Sequence, residues 1–231
     1  MIWNHQASAV ASRLALALGA AAFLAAALPA GARTWGVTRN FERTVATSAA
    51  PKVTIKGSAG DITIRSENRS DVQIHAVYHG QSDSDFDDMN LEVAPSSDGV
   101  NLHAIVGRTS DSIFSRAHHE NRSIDLVVTV PTNASLDIDE TAGDIRVEAP
   151  KGAVHAALRA GDITIDHVVG AVWAHVSAGD ISLSLSPEWS GAAIDARASI
   201  GDINASAPDA VRARAKSIAR FHVGIGDISG F

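Results

Sequence analysis

A nine-residue repeat dominates the carboxy-terminal half of the chain. Between residues 143 and 185, glycine recurs at every ninth position, at Gly143, Gly152, Gly161, Gly170 and Gly179. Apolar residues follow each glycine at the second, fourth and often the sixth place, which is the period-two pattern of a strand with one buried face. A unit this short cannot bury that face alone, so successive copies must stack on one another.

Two such units make a coil of 18 residues, with Gly-Asp-Ile at one corner and Gly-Ala-Val at the opposite corner. The repeat therefore predicts an all-β fold, a single-stranded parallel β-solenoid with about 18–22 residues per coil. Glycine suits a corner with positive φ, and an aspartate side chain can hydrogen-bond the turn backbone. We expect a structural turn ladder made of Gly143, Asp144, Gly161, Asp162, Gly179, Asp180, Gly201 and Asp202.

The repeated aspartate raises the alternative of a bound cation. Asp144, Asp162 and Asp180 are 18 residues apart and would stack about 4.8 Å from one another. Repulsion between them is about 1 kcal/mol per pair in water, which an exposed corner tolerates. Calcium-binding nonapeptide repeats carry G-G-x-G-x-D, whereas each unit here has a single glycine. We therefore predict a structural ladder with no metal and no cofactor.

The amino-terminal segment reads as an export signal. Arg13 precedes the unbroken apolar run of residues 14–28, and Ala30-Gly31-Ala32 forms a small-residue cleavage pattern. An uncleaved membrane anchor is the alternative, but this run is shorter than the roughly 20 residues that cross a bilayer. The predicted organisation is a cleaved signal at 1–32, a short lead-in linker at 33–50 and a solenoid domain at 51–231, with 143–231 the most regular part.

Charge and cysteine content narrow the classes of partner. The net charge is −7 and there is no cysteine, so an exported domain must be held together by core burial and backbone pairing. An acidic domain lacks the electrostatic footprint for nucleic acid or anionic lipid. We expect no nucleic-acid partner and no membrane span once the signal is removed.

Two polar stretches, 80–90 and 107–121, are predicted to be loops. The first has the acidic spacing of a calcium loop without its glycine and glutamate, and the second contains His118-His119-Glu120 as a candidate metal patch. Neither spacing favours metal over an ordinary surface loop. Residues 211–223 alternate apolar and basic residues and are interpreted as a strand with a basic outer face, with an amphipathic helix as the alternative.

A candidate binding face follows from stacking the outward residues. Arg146 would stack with Thr164 and Ser182 on one face, and His155 would stack with Trp173 on the other. An exposed aromatic ring beside a histidine could bind sugar rings. The chain has no G-x-S-x-G motif and no recognisable catalytic set, so we predict no catalytic residues.

The order of motifs resembles a bacterial family, the putative adhesin domain. The resemblance is carried by LVVTVP at 126–131, SLDIDETAGDIRV at 135–147 and the Gly-Asp-Ile coils that follow, with PKVTIKGSAGDITIRSEN at 51–68 and DVQIHAVY at 71–78 similar to the family's opening. It covers roughly residues 40–231. It implies an exported all-β repeat domain with no agreed catalytic residues.

These observations favour a non-enzymatic exported protein of the periplasm or cell surface. It would act as an adhesin-like or scaffolding surface for a protein or glycan of the cell envelope. One alternative is a polysaccharide-binding or polysaccharide-degrading β-helix protein. Another is a structural filament, since strand edges at the ends of a rod permit self-association.

Overall fold

The computed structural model describes residues 36–107 and 122–231. The predicted signal peptide, the His118-His119 patch and most of the predicted loop at 107–121 lie outside these residues. In the described part almost all regular structure is strand. The strands are β1 Val37–Ala46, β2 Lys52–Lys56, β3 Ile62–Glu67, β4 Asp71–Gly80, β5 Met89–Pro95, β6 Gly99–Val106, β7 Ser123–Pro131, β8 Ser135–Ala142, β9 Ile145–Glu148, β10 Val154–Ala160, β11 Ile163–Val168, β12 Val172–Ala178, β13 Ile181–Leu185, β14 Ile194–Ile200, β15 Ile203–Ser206, β16 Arg220–Ile225 and β17 Ile228–Gly230.

The strands form two sheets. Sheet A has the order β1-β4-β7-β3-β9-β11-β13-β15-β17, and sheet B has the order β16-β14-β12-β10-β8-β2-β6-β5. From β8 onward each coil gives one strand to each sheet, and the pairing is parallel. Because successive residues of a strand point to opposite faces, Ile, Val, Leu and Ala at alternate positions fill the space between the sheets.

The expectation of one parallel solenoid throughout was wrong for the amino-terminal half. There β4 pairs antiparallel with both β1 and β7, and β5 pairs antiparallel with β6. The coil of β2 and β3 stacks between the coil of β6 and β7 and that of β8 and β9, so stacking order departs from chain order. The segment between β3 and β7 is long enough to fold back on itself as antiparallel strands, whereas an 18-residue coil is too short to do so.

Coil length also exceeds the predicted range at the end of the chain. Successive corner aspartates are 18 residues apart at Asp144, Asp162 and Asp180. The next interval, to Asp202, is 22 residues, and the last, to Asp227, is 25 residues. The last increase accommodates helix α1, Asp209–Ile218, where a basic strand was predicted. Val211 and Ala215 are buried four residues apart on one helical face, and Ala, Arg and Lys are strong helix formers.

The segments predicted as linker and loop contain regular structure. The lead-in at 33–50 holds β1, which pairs along its full length with β4, so strand pairing begins before residue 51. The 80–90 loop is shorter than expected, because β4 ends at Gly80, a short 3-10 helix spans Asp83–Asp88 and β5 starts at Met89. No described helix is long and apolar enough to cross a membrane.

Candidate binding face and corner ladder

The Gly-Asp corners form a continuous hydrogen-bonded ladder along one side of the stack. In each rung the backbone N–H of one aspartate donates to the Oδ1 of the aspartate in the preceding coil. Asp162 N lies 2.9 Å from Asp144 Oδ1, and Asp180 N lies 2.8 Å from Asp162 Oδ1. The corner glycines have φ between 126° and 139°, a region open to glycine alone among ordinary residues.

The ladder extends further than the residues singled out from the sequence. Asp61, in the first Gly-Asp-Ile triplet, and Asp227, in the last, are rungs with the same geometry. Asp125 begins the series by accepting from Asp61 N at 3.1 Å. The Gly-Asp-Ile triplet is enough to identify Asp61 and Asp227 from the sequence. Asp125 lies in Ile-Asp-Leu, without the glycine, so the sequence pattern does not identify it as a rung. Every carboxylate of the ladder except that of the last rung, Asp227, accepts a charge-assisted hydrogen bond from the next coil, which offsets the repulsion between stacked charges.

His155 and Trp173 lie side by side on the outer face of sheet B. They are register partners on β10 and β12, and the next residues in the same row are Asp137 on one flank and Asp195 on the other. Trp173 is one of four large apolar side chains that are exposed among the described residues, at 44%. In the neighbouring outward row, Ala157 is the register partner of His175. Because the alanine side chain is small, the surface is recessed at that point.

This arrangement makes a shallow groove of about 440 Å³, which we call the Trp173 groove. Its lining residues are His155, Ala156, Trp173, Ala174, His175, Asp195 and Arg197. Of these, His175, Asp195 and Arg197 were not predicted from the sequence to lie on the binding face. Arg197 is the register partner of His175, and Asp195 that of Trp173, but the coil between them has 22 residues, so an 18-residue spacing did not reveal them.

Two hydrogen-bonded pairs of side chains flank the exposed ring. The His155 Nδ1 lies 3.1 Å from Asp137 Oδ1. Arg197 donates from Nε and from an Nη to the two oxygens of Asp195, at 2.8 and 2.9 Å. That bidentate hydrogen bonding lowers the pKa of the Asp195 carboxyl and raises the pKa of the Arg197 guanidinium. The groove therefore offers an apolar ring face between polar side chains whose positions are fixed by these hydrogen bonds.

Arg146 does not join this groove, because it lies on β9 in sheet A, on the opposite side of the stack. It donates to Glu148 at 3.0 Å and to Asp166 at 2.7 Å. These carboxylates, with Glu148 the stronger influence, raise the pKa of Arg146. In its row the polar residues Thr164 and Ser182 follow, as expected from the repeat.

The acidic stretch at 83–88 is tied into the fold. Asp85 Oδ2 accepts from the backbone N–H groups of Gln81 and Ser82 at 2.8 and 3.0 Å. The Nη1 atom of Arg122 lies 3.7 Å from Asp85 Oδ1 and 3.8 Å from Asp88 Oδ2. Across residues 36–107 and 122–231, no group of three or more histidine, aspartate or glutamate side chains is placed to hold a metal ion.

The fold is thus a two-sheet stack of mostly parallel β-coils with a repeated Gly-Asp corner. The chain belongs to the Toastrack family (DUF4097), whose model matches residues 44–221. This family match confirms the resemblance seen in the sequence.

One similar structure is a putative cell adhesion protein from Clostridium sporogenes, 10% identical, covering 83% of this chain and 99% of that one with a TM-score of 0.52. A putative adhesin from Bacteroides fragilis is 14% identical and covers 84% of this chain and 97% of that one, with a TM-score of 0.35. At these identities the likeness concerns the fold alone. No curated protein matches the chain.

Proposed function

We propose that this chain is an exported, non-enzymatic protein of the cell envelope that binds a partner, in the manner of an adhesin, through the Trp173 groove. The observation that carries this proposal is the exposed indole of Trp173, set between the Asp137–His155 and Asp195–Arg197 pairs. Tryptophan and arginine are the residues most often found to dominate binding energy at interfaces. The adhesion-related name of the Clostridium sporogenes protein, which shares the fold, agrees with this role.

The sheet gives such a surface its rigidity. His155, Trp173 and Asp195 occupy consecutive strands in one register row, so their spacing is set by the strand separation of about 4.8 Å. A partner would meet side chains that are already ordered, which reduces the entropic cost of association. Affinity would come from several modest contacts along the row.

Co-sedimentation with isolated cell envelopes of the source bacterium tests the proposal. The wild-type protein is expected to sediment with the envelopes in a saturable manner, and Trp173→Ala is expected to weaken that binding at least tenfold. Thr164→Ala, a polar truncation on the outer face of sheet A, is the matched control and should bind like wild type. Equal binding by Trp173→Ala and wild type would remove the groove from the mechanism.

A glycan is the second, narrower candidate for the partner. An exposed aromatic ring can stack on a pyranose while neighbouring carboxylate, imidazole and guanidinium groups hydrogen-bond its hydroxyls. A panel of purified bacterial polysaccharides, probed with wild type and Trp173→Ala, separates this from a protein partner. Protease treatment of the envelopes provides the complementary arm, since loss of binding after proteolysis identifies a protein.

The localisation belongs to the same proposal. Export would follow from the signal at 1–32, leaving the domain in the periplasm or on the surface. Fractionation with protease treatment of intact cells distinguishes the two locations. Degradation in intact cells supports an adhesin-like surface role, whereas protection until the outer layer is broken supports a periplasmic scaffold.

A further inference from the structure

The last coil of the stack, formed by β16 and β17, has hydrogen-bonding groups that pair with no other described strand. In the earlier rungs the corner glycine donates its N–H to the next coil, as Gly201 N does to Ile225 O at 2.9 Å. The aspartate carboxylate accepts from the next coil as well. Within the described residues, the N–H of Gly226 has no such acceptor and the Oδ1 of Asp227 has no such donor. The coil therefore ends in the pattern that would receive another strand.

This end of the molecule is also apolar. Ile228 is 50% exposed, although its equivalents in the earlier coils, Ile163, Ile181 and Ile203, are buried in the core. Ile225 is 69% exposed at the outward corner position that Ile200 holds in the preceding coil. β16 and β17 are the terminal strands of sheet B and sheet A, so among the described residues both sheets have an uncovered edge at the same end. An open edge with exposed apolar side chains is a template for strand pairing.

The opposite end is protected. Its edge strands are β1, which carries the exposed charges of Arg39 and Glu42, and β5, which carries that of Glu92 and ends at Pro95. Charges and proline are the features by which edge strands resist the addition of further strands. A head-to-tail contact would place Ile225 and Ile228 of one copy against these charges, so the two ends do not match each other.

We propose that two copies of this chain pair tail to tail, with β16 and β17 of each copy antiparallel to the same strands of the other. The apolar end formed by β16 and β17 is complementary to the same end of a second copy and not to the charged opposite end. Such a contact has two-fold symmetry and is limited to two copies. Charge supports this arrangement. Arg220 begins β16 and Asp227 follows its end, so antiparallel pairing brings each Arg220 towards the Asp227 of the second copy. The inference does not depend on the Trp173 groove.

A single introduced cysteine tests the geometry, because the chain has none of its own. Ser229 is the middle residue of β17, so two Ser229→Cys chains paired across the two-fold axis would have their α-carbons within disulfide range, roughly 4.4–6.8 Å. Mild oxidation of the exported form of the full chain should give a covalent dimer. Thr38→Cys, on the edge strand β1 at the protected end, is the matched control and should stay monomeric on a denaturing gel.

Sedimentation equilibrium gives the second readout. Wild type and Thr38→Lys should be dimeric, whereas Ile225→Lys, which places a charge on the open edge, should raise the dimer dissociation constant at least tenfold. Ile225 is mostly exposed, so this change leaves the core intact, and circular dichroism checks the fold. A wild-type monomer at every concentration would overturn the proposal. So would masses that grow without limit, or cross-linking of Thr38→Cys in preference to Ser229→Cys.

Discussion

The carboxylate of Glu140 lies against the α-carbon of Gly57, inside the stack. Glu140 is only 2% exposed and occupies an inward position on β8, in register with Leu158 of β10. Its Oε1 accepts the backbone N–H of Thr141 at 3.0 Å, and a side chain at position 57 would overlap its carboxylate. Burial raises the pKa of Glu140 to about 7, against the opposing effect of that hydrogen bond.

This raised pKa predicts a pH-dependent stability. Between the ordinary carboxyl pKa of 4.5 and about 7, the folded state keeps a proton that the unfolded state has released. The free energy of unfolding therefore falls as pH rises through that window, by about 3 kcal/mol in all at about 1.4 kcal/mol per pKa unit. Glu140→Gln does not titrate, so it should lose none of this stability between pH 4.5 and 8.

Urea unfolding of both proteins at pH 4.5, 6 and 8 measures the effect. The difference between Glu140→Gln and wild type is expected to grow steadily with pH in favour of the variant. A difference that stays constant across the three values would show that Glu140 ionises in the folded protein as it does in water.

Gly57 and Glu140 should be energetically coupled. Gly57→Ala forces the carboxylate to move in a packed interior, at a cost of about 1–3 kcal/mol. In a Glu140→Ala background the space is free, so the same substitution should be nearly neutral. A double-mutant cycle by chemical denaturation measures the coupling. Equal costs in both backgrounds would mean that Gly57 is needed for its backbone conformation alone.

The corner ladder predicts a difference between two substitutions at one rung. Asp162→Ala removes the acceptor for Asp180 N and should lower the free energy of unfolding by about 1 kcal/mol. Asp162→Asn keeps an oxygen in that place and relieves repulsion from the neighbouring rungs, so its loss should be smaller. Thermal unfolding of the pair measures this. An asparagine variant as unstable as the alanine variant would contradict the hydrogen-bonding role of the ladder.

Truncation of the two tryptophans Trp189 and Trp173 should change the free energy of unfolding by very different amounts. Trp189 is 2% exposed, and the Arg214 guanidinium lies 5.2 Å from its ring and donates to its carbonyl at 2.7 Å. Trp189→Ala should therefore cost about 3–5 kcal/mol of stability. Trp173→Ala, from the exposed groove, is the comparison and should unfold close to wild type. A large loss of stability in Trp173→Ala would make that residue structural.

The regular half of the fold could be predicted because its signal is local. Each corner from Gly143 to Asp202 repeats the same triplet at a nearly constant interval, and the alternation of apolar residues assigns the buried face directly. The stacking of His155 on Trp173 follows from the same interval. The order of stacking around β2 and β3 could not be derived, because it depends on long-range pairing that leaves no periodic trace.

For a related reason, a strand was preferred to helix α1, which was the alternative, and the full extent of the groove was not predicted. In residues 211–215 the spacing of Val211, Ala213 and Ala215 fits a strand, while Val211 and Ala215 alone fit a helix, and only packing on the neighbouring coil decides between them. Asp195 and Arg197 join the groove across the enlarged 22-residue coil. Arg146 has no link to the groove, since strands alternate between the two sheets and β9 and β10 lie on opposite sides.

The measurement that tests the central claim most directly is residue-level mapping of partner contacts by NMR. Isotope-labelled protein would be titrated with soluble fragments of the cell envelope, with the Trp173 indole N–H and backbone amides observed individually. The account predicts saturable shifts at Trp173 and at the amides of β10, β12 and β14, with the amides around Thr164 unchanged. Shifts confined to sheet A, or none at any fragment concentration, would contradict the assignment of this face as the binding surface.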